Sequence, residues 1–87
     1  MKIQHIGYFG EDEDVRYLAN ENTDKIIEYY RNGYGNFSIV EDEPFDTNDI
    51  GIDIDDESIS SDKKFVVRKD LPLSENETFI DIYEIIE

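Results

Sequence analysis

The sequence predicts an α+β fold. A single small domain, residues 1–87, is expected to hold an antiparallel β-sheet of about four to six strands with one α-helix, over about residues 23–32, packed on it. Three observations lead there. Short apolar and β-branched runs recur along the chain, separated by glycine, proline or acidic turns. One stretch places apolar residues at helical spacing between a capping signal and a stop signal. Finally, 11 aromatic residues and repeated isoleucines in 87 positions suit one folded core rather than a disordered acidic chain.

The elements follow in order. KIQHIGYF (Lys2–Phe9), bounded by Gly10 and a run of acids, reads as a first strand. DVRYLA (Asp14–Ala19) is expected to be a second strand closing a hairpin over GEDED, with a short helical turn as the alternative. The helix signal is NTDKIIEYYRNGYG: Asn22 or Thr23 can cap it, and Asp24 suits the positive end of the dipole. Ile26, Ile27, Tyr29 and Tyr30 share one face, Arg31 suits the last turn, and Gly33 supplies a left-handed stop. NFSIVED (Asn36–Asp42) is strand-like and ends before Pro44. Ile50, Ile52 and Ile54 alternate with Gly51, Asp53 and Asp55, the period of a half-buried strand. SISSD is turn-like, KKFVVRKD (Lys63–Asp70) is a strand with a basic edge, and LPLSENE is a loop containing Pro72. In TFIDIYEIIE, Phe79, Ile82, Tyr83 and Ile86 would fit a helical face, but isoleucine, threonine and aromatic residues favour a strand.

Composition narrows function. There are no cysteines, so disulfides, thiolate metal sites and cysteine nucleophiles are excluded. No run approaches the roughly 20 apolar residues of a membrane span, and the start, MKIQHIGYFGEDED, lacks the pattern of a signal peptide. A cytoplasmic protein is expected. With 23 acids against 8 bases, the net charge is −15. Such a chain is repelled by nucleic acid and by anionic membranes, so neither is an expected partner, whereas a basic protein surface is.

The stretch DTNDIGIDIDDE (Asp46–Glu57) has the length of an EF-hand loop, with Asp46, Asn48, Gly51 and Glu57 at matching positions 1, 3, 6 and 12. Isoleucines stand at positions 5 and 9, where oxygen ligands belong, and the flanks do not predict helices. No metal or cofactor is therefore expected, although a weak divalent-cation site formed by folded-together acids is a lesser alternative. His5 is the only histidine and lies among apolar neighbours, which points to a structural role. Neither GYFG nor NGYGN has the spacing of a phosphate-binding loop. No catalytic signature is present, and an enzyme is not expected.

Charge pattern carries the functional reading. From Glu41 to Asp62 there are ten acids and no lysine or arginine. If Ile50–Asp55 is a strand, Asp53 and Asp55 project from the face opposite the isoleucines, at the roughly 6.6–6.8 Å spacing of alternate strand residues. Duplex DNA advances one phosphate per roughly 3.4 Å of axis on each strand, along a longer helical path. Carboxylates at that pitch fit the charge-assisted hydrogen bonds that arginine and lysine offer phosphates. The candidate partner-binding residues are Asp46, Asp49, Asp53, Asp55, Asp56 and Glu57, with Tyr34 as an aromatic contact in the turn after the helix. A further acid group, Glu11–Asp14, lies in the first loop, and Glu75, Glu77, Asp81, Glu84 and Glu87 dot the C-terminal segment. Tyr29 or Tyr30 is expected in the core, and Lys63, Lys64, Arg68 and Lys69 are expected to pair with acids across the sheet.

In size, charge and sheet-plus-helix outline the chain resembles a class rather than a family. Small acidic α+β proteins without cysteine, encoded by bacteriophages and mobile elements, inhibit restriction, CRISPR or repair enzymes by occupying their nucleic-acid sites. The resemblance implies a non-enzymatic acidic mimic of nucleic acid bound to a nucleic-acid-binding enzyme. No motif matches a particular member, so no functional residue is carried over. The alternative is an immunity protein or antitoxin that neutralises a basic toxin by the same electrostatics.

Overall fold

A computed structural model describes residues 1–10, 12–69 and 79–87. Among them the elements run β1 (Lys2–Phe9), α1 (Asp12–Leu18), α2 (Thr23–Arg31), β2 (Phe37–Ile39), β3 (Phe45–Asp46), β4 (Phe65–Lys69) and β5 (Ile80–Ile85). Two 3-10 turns, Thr47–Ile50 and Asp56–Ser58, lie between β3 and β4. The fold is α+β, with a five-stranded antiparallel sheet as expected. The expected loop LPLSENE, with Glu11, Asp70, Glu75 and Glu77, lies outside the described residues.

The sheet is ordered β2-β1-β5-β4. β1 is its centre: β5 pairs with one edge along Ile3–Phe9, and the other edge is shared by β2 opposite Gly7–Phe9 and β3 opposite Lys2–Ile3. A bulge between His5 and Gly7 resets the register, so that Gly7 and Phe9 face the same side as Ile80 and Ile82. On that side the helices seal the core: Phe9, Leu18, Ile26, Ile27, Val67, Ile80 and Ile82 form one buried cluster, with Tyr29 and Tyr30 packed against it. Each fully buried apolar side chain stabilises the fold by about 1.5–3 kcal/mol. Ile3 and Val66 are also buried but lie outside that cluster.

Helix α2 has the expected signals. Asn22 is the N-cap and its side chain accepts from the Lys25 N–H at 2.8 Å, while Gly33 follows the C-cap at φ 72°.

Two expectations are corrected. Asp14–Ala19 is not a strand: Asp14–Leu18 belongs to α1, the helical alternative, and Ala19 lies in the turn that follows. The acids read as a hairpin turn, Asp12, Glu13 and Asp14, form the first turn of that helix, where negative charge is favoured by the dipole. Val15 and Leu18, at i and i+3, bury its inner face.

Ile50–Asp55 is not a strand either. The Asp46 carboxylate accepts from the Asn48 N–H at 2.9 Å and caps a 3-10 turn that ends at Gly51, whose φ of 69° takes the chain off the strand path. Both edges of β1 are already taken. From β3 on the outer edge of β1, the chain instead crosses to the far side of the sheet, where Ile59 bridges Val66 of β4. The alternation survives without a ladder. Ile52 and Ile54 are half-buried and Asp53 and Asp55 exposed, but Ile50 is 57% exposed and does not belong to the core.

Candidate functional site

Residues 47–58 form a strap from β3 to β4. The sequence predicts one ribbon of carboxylates; the fold distributes them. Asp46 and Asp49 sit at the β3 end, where the Met1 ammonium lies 3.5 Å from Asp46. The Asn48 N–H, and after it this ammonium, hold the Asp46 carboxyl below its usual range. Asp53 is exposed midway. Asp55, Asp56 and Glu57 reach the far end and line an open cleft of about 560 Å³ against the start of α2.

Two further acids, Glu21 and Asp24, line the same cleft. Nothing in the spacing of the sequence paired them with residues 55–57, about thirty positions later; a helix start and a distant turn were brought together by packing. The Thr23 hydroxyl, itself buried, donates to the Glu57 carbonyl and fastens the turn to the helix. Asp24 accepts from both the Ser61 N–H, at 2.9 Å, and the Ser61 hydroxyl. Those two bonds lower its pKa against the opposing effects of burial and Asp62.

One cation lines the cleft. The Lys69 ammonium donates to the carbonyls of Ala19, at 3.1 Å, and Glu21. It therefore closes the loop between the two helices rather than pairing with a carboxylate across the sheet, which corrects the expectation for this residue. Arg68 stands opposite Asp81 in the β4–β5 register.

The remaining strap acids are uncompensated. Asp49, Asp53, Asp55, Asp56 and Glu57 are exposed, and their carboxylates have no hydrogen-bond or ion-pair partner among the described residues. Asp62, by contrast, accepts from the Ser60 hydroxyl at 2.6 Å, Arg31 at 2.7 Å and the Lys64 N–H at 3.0 Å. It is a structural hub of the turn before β4.

Tyr34 is 61% exposed, and stands apart from the strap with Tyr29, its ring centroid 5.7 Å away, and Tyr17 beyond. Tyr17 lies on α1, and the strand expected for its segment gives no sign of this position. His5 sits between two carboxylates, with Nδ1 3.4 Å from Asp42 and Nε2 3.0 Å from Asp81, and its ring stacks on Tyr83 at 4.7 Å. These contacts tie β1 to β5 and to the loop before β3.

Among the described residues, no group of three or more histidine or acidic side chains is placed to hold a metal ion, and no helix is long and apolar enough to cross a membrane. Fold and site together define a small acidic α+β domain with a carboxylate-rich strap and cleft. Compared with protein-family models, with curated proteins and with solved structures, the chain finds no match.

Proposed function

We propose that the protein is a non-enzymatic inhibitor acting in the cytoplasm, which occupies the basic nucleic-acid-binding surface of a larger protein. One observation carries this reading: Asp49, Asp53, Asp55, Asp56 and Glu57 are exposed along a single strap and have no side-chain partner among the described residues. Charges gathered without compensation repel one another and weaken the compact state. A cationic surface removes that penalty, and arginine binds a carboxylate with the same two-pronged geometry it uses for phosphate. The cleft acids Glu21 and Asp24 extend the negative surface beyond the strap. Net charge of −15 adds long-range attraction that speeds encounter and falls with salt.

The test is capture from a cell lysate at low salt, followed by competition with duplex DNA. Capture of a nucleic-acid-binding protein, released by salt and displaced by the duplex, is the expected result. The combined variant Asp53→Lys, Asp55→Lys, Asp56→Lys should lose the captured protein without any fall in its melting temperature, because all three side chains are exposed and their mutual repulsion is removed. Undiminished capture by this variant would overturn the proposal.

A further inference from the structure

Beside the acidic cleft lies a second surface of different chemistry. Tyr17, Tyr29 and Tyr34 line a hollow of about 230 Å³, together with Glu21, Lys25 and Glu28. The rings are contiguous, with centroids 5.3 Å apart for Tyr17–Tyr29 and 5.7 Å for Tyr29–Tyr34. Tyr17 and Tyr34 are 62% and 61% exposed, a large aromatic area to leave in water. Glu21 lines both this hollow and the cleft, so the two form one continuous surface.

Hydrogen bonds and close packing brace the hollow. Asp14, a buried carboxylate on α1, accepts from the Tyr29 hydroxyl at 3.2 Å and from the Asn36 N–H at 2.8 Å. It thereby fixes both the central ring and the turn that carries Tyr34. Gly35 packs directly on this pair: at φ 76°, a Cβ there would come within 2.6 Å of the Asp14 carboxylate and 2.7 Å of the Tyr29 ring. Donation of the phenol proton toward a carboxylate also enriches the Tyr29 ring in electron density, which strengthens its attraction for a cation. Lys25, which also lines the hollow, is paired with Glu28 at 3.6 Å, so Glu21 is the lining carboxylate left without an ion-pair partner among the described residues.

We infer that this tyrosine hollow receives an arginine side chain of the basic partner, its guanidinium stacked on the rings while its N–H edge meets Glu21. The inference rests on the proposed binding of a basic surface and adds an anchor to it. Charge selects the occupant: a nucleobase would stack equally well, but its phosphates are repelled by the surrounding acids, whereas a guanidinium is attracted to ring face and carboxylate together. Arginine is preferred to lysine because a compact, strongly hydrated ammonium gains less from the ring faces.

Titration with an oligoarginine peptide and an oligolysine peptide of equal length and charge tests this. At matched ionic strength, oligoarginine is expected to bind roughly two- to fivefold more tightly. The preference should vanish in Tyr17→Ala, Tyr34→Ala and persist in Tyr17→Phe, Tyr34→Phe, which keeps the rings. Equal affinity for the two peptides, or a preference the alanine variant retains, overturns the anchor while leaving the electrostatic reading intact. Failure of both peptides to bind, in the wild type and the phenylalanine variant alike, overturns both.

Discussion

At the scale of single residues, the acids divide into those that hold the fold and those that do not. Asp62 belongs to the first group: hydrogen bonds from Ser60, then Arg31, then the Lys64 N–H bring its carboxyl down to about 2. Its folded value lies below the unfolded value near 4, so its contribution to stability is complete above about pH 4 and disappears as pH falls toward 2. Melting curves of the wild type and Asp62→Asn should therefore differ at neutral pH and converge as the pH is lowered through that window. A difference that persists unchanged at pH 2 would mean that the carboxylate charge is not what Arg31 and the turn depend on. Asp24 and Asp46, lowered chiefly by Ser61 and by the Asn48 N–H respectively, act in the same direction. Tyr29 is shifted upward, by burial first and then by Asp14, which keeps its phenol protonated and able to donate.

Among the elements, the strap differs most from its sequence pattern. Alternation of isoleucine and aspartate at residues 52–55 describes an extended chain with one wet side, a property that a strand and an unpaired crossing segment share. What holds the crossing segment at its far end is the hydrogen bond from the Thr23 hydroxyl to Glu57, at the start of α2. Thr23→Val keeps the volume and removes the donor, leaving a carbonyl without its partner. The expected cost is about 1 kcal/mol in denaturant unfolding, with faster amide exchange concentrated in residues 52–58. Exchange accelerated equally across the sheet would show instead that the strap and core open as one unit.

The whole molecule is a small body, with a Cα radius of gyration of 12.4 Å, carrying a net charge of −15. At about 0.01 M salt the screening length of roughly 30 Å exceeds that size; at 0.15 M, roughly 8 Å, it does not. Self-repulsion in the free protein and attraction to a basic partner are therefore screened by the same ions, with opposite consequences. Added sodium chloride should raise the melting temperature of the free protein while weakening its binding to oligoarginine. A melting temperature that falls as salt is added would mean that local ion pairs such as Arg31–Asp62 outweigh the global repulsion.

Local chemistry made much of this legible in advance. The apolar, β-branched and aromatic runs at β1, β4 and β5 and the cap-to-stop pattern of α2 are short-range signals, and each produced its element close to the expected bounds. Charge and exposure of Asp53, Asp55, Asp56 and Glu57 were also readable, since unpaired carboxylates stay in water wherever the backbone runs. Packing decided the rest. Asp12–Leu18 became a helix that buries Val15 and Leu18, and residues 50–55 cross from β3 toward the outer edge of β4, which the chain meets only at the Ile59–Val66 bridge. The meeting of Glu21 and Asp24 with residues 55–57, and of Tyr17 with Tyr34, depends on contacts between segments distant in the chain. No local pattern encodes such pairings, because they arise only when the helices dock on the sheet and bring their exposed ends together.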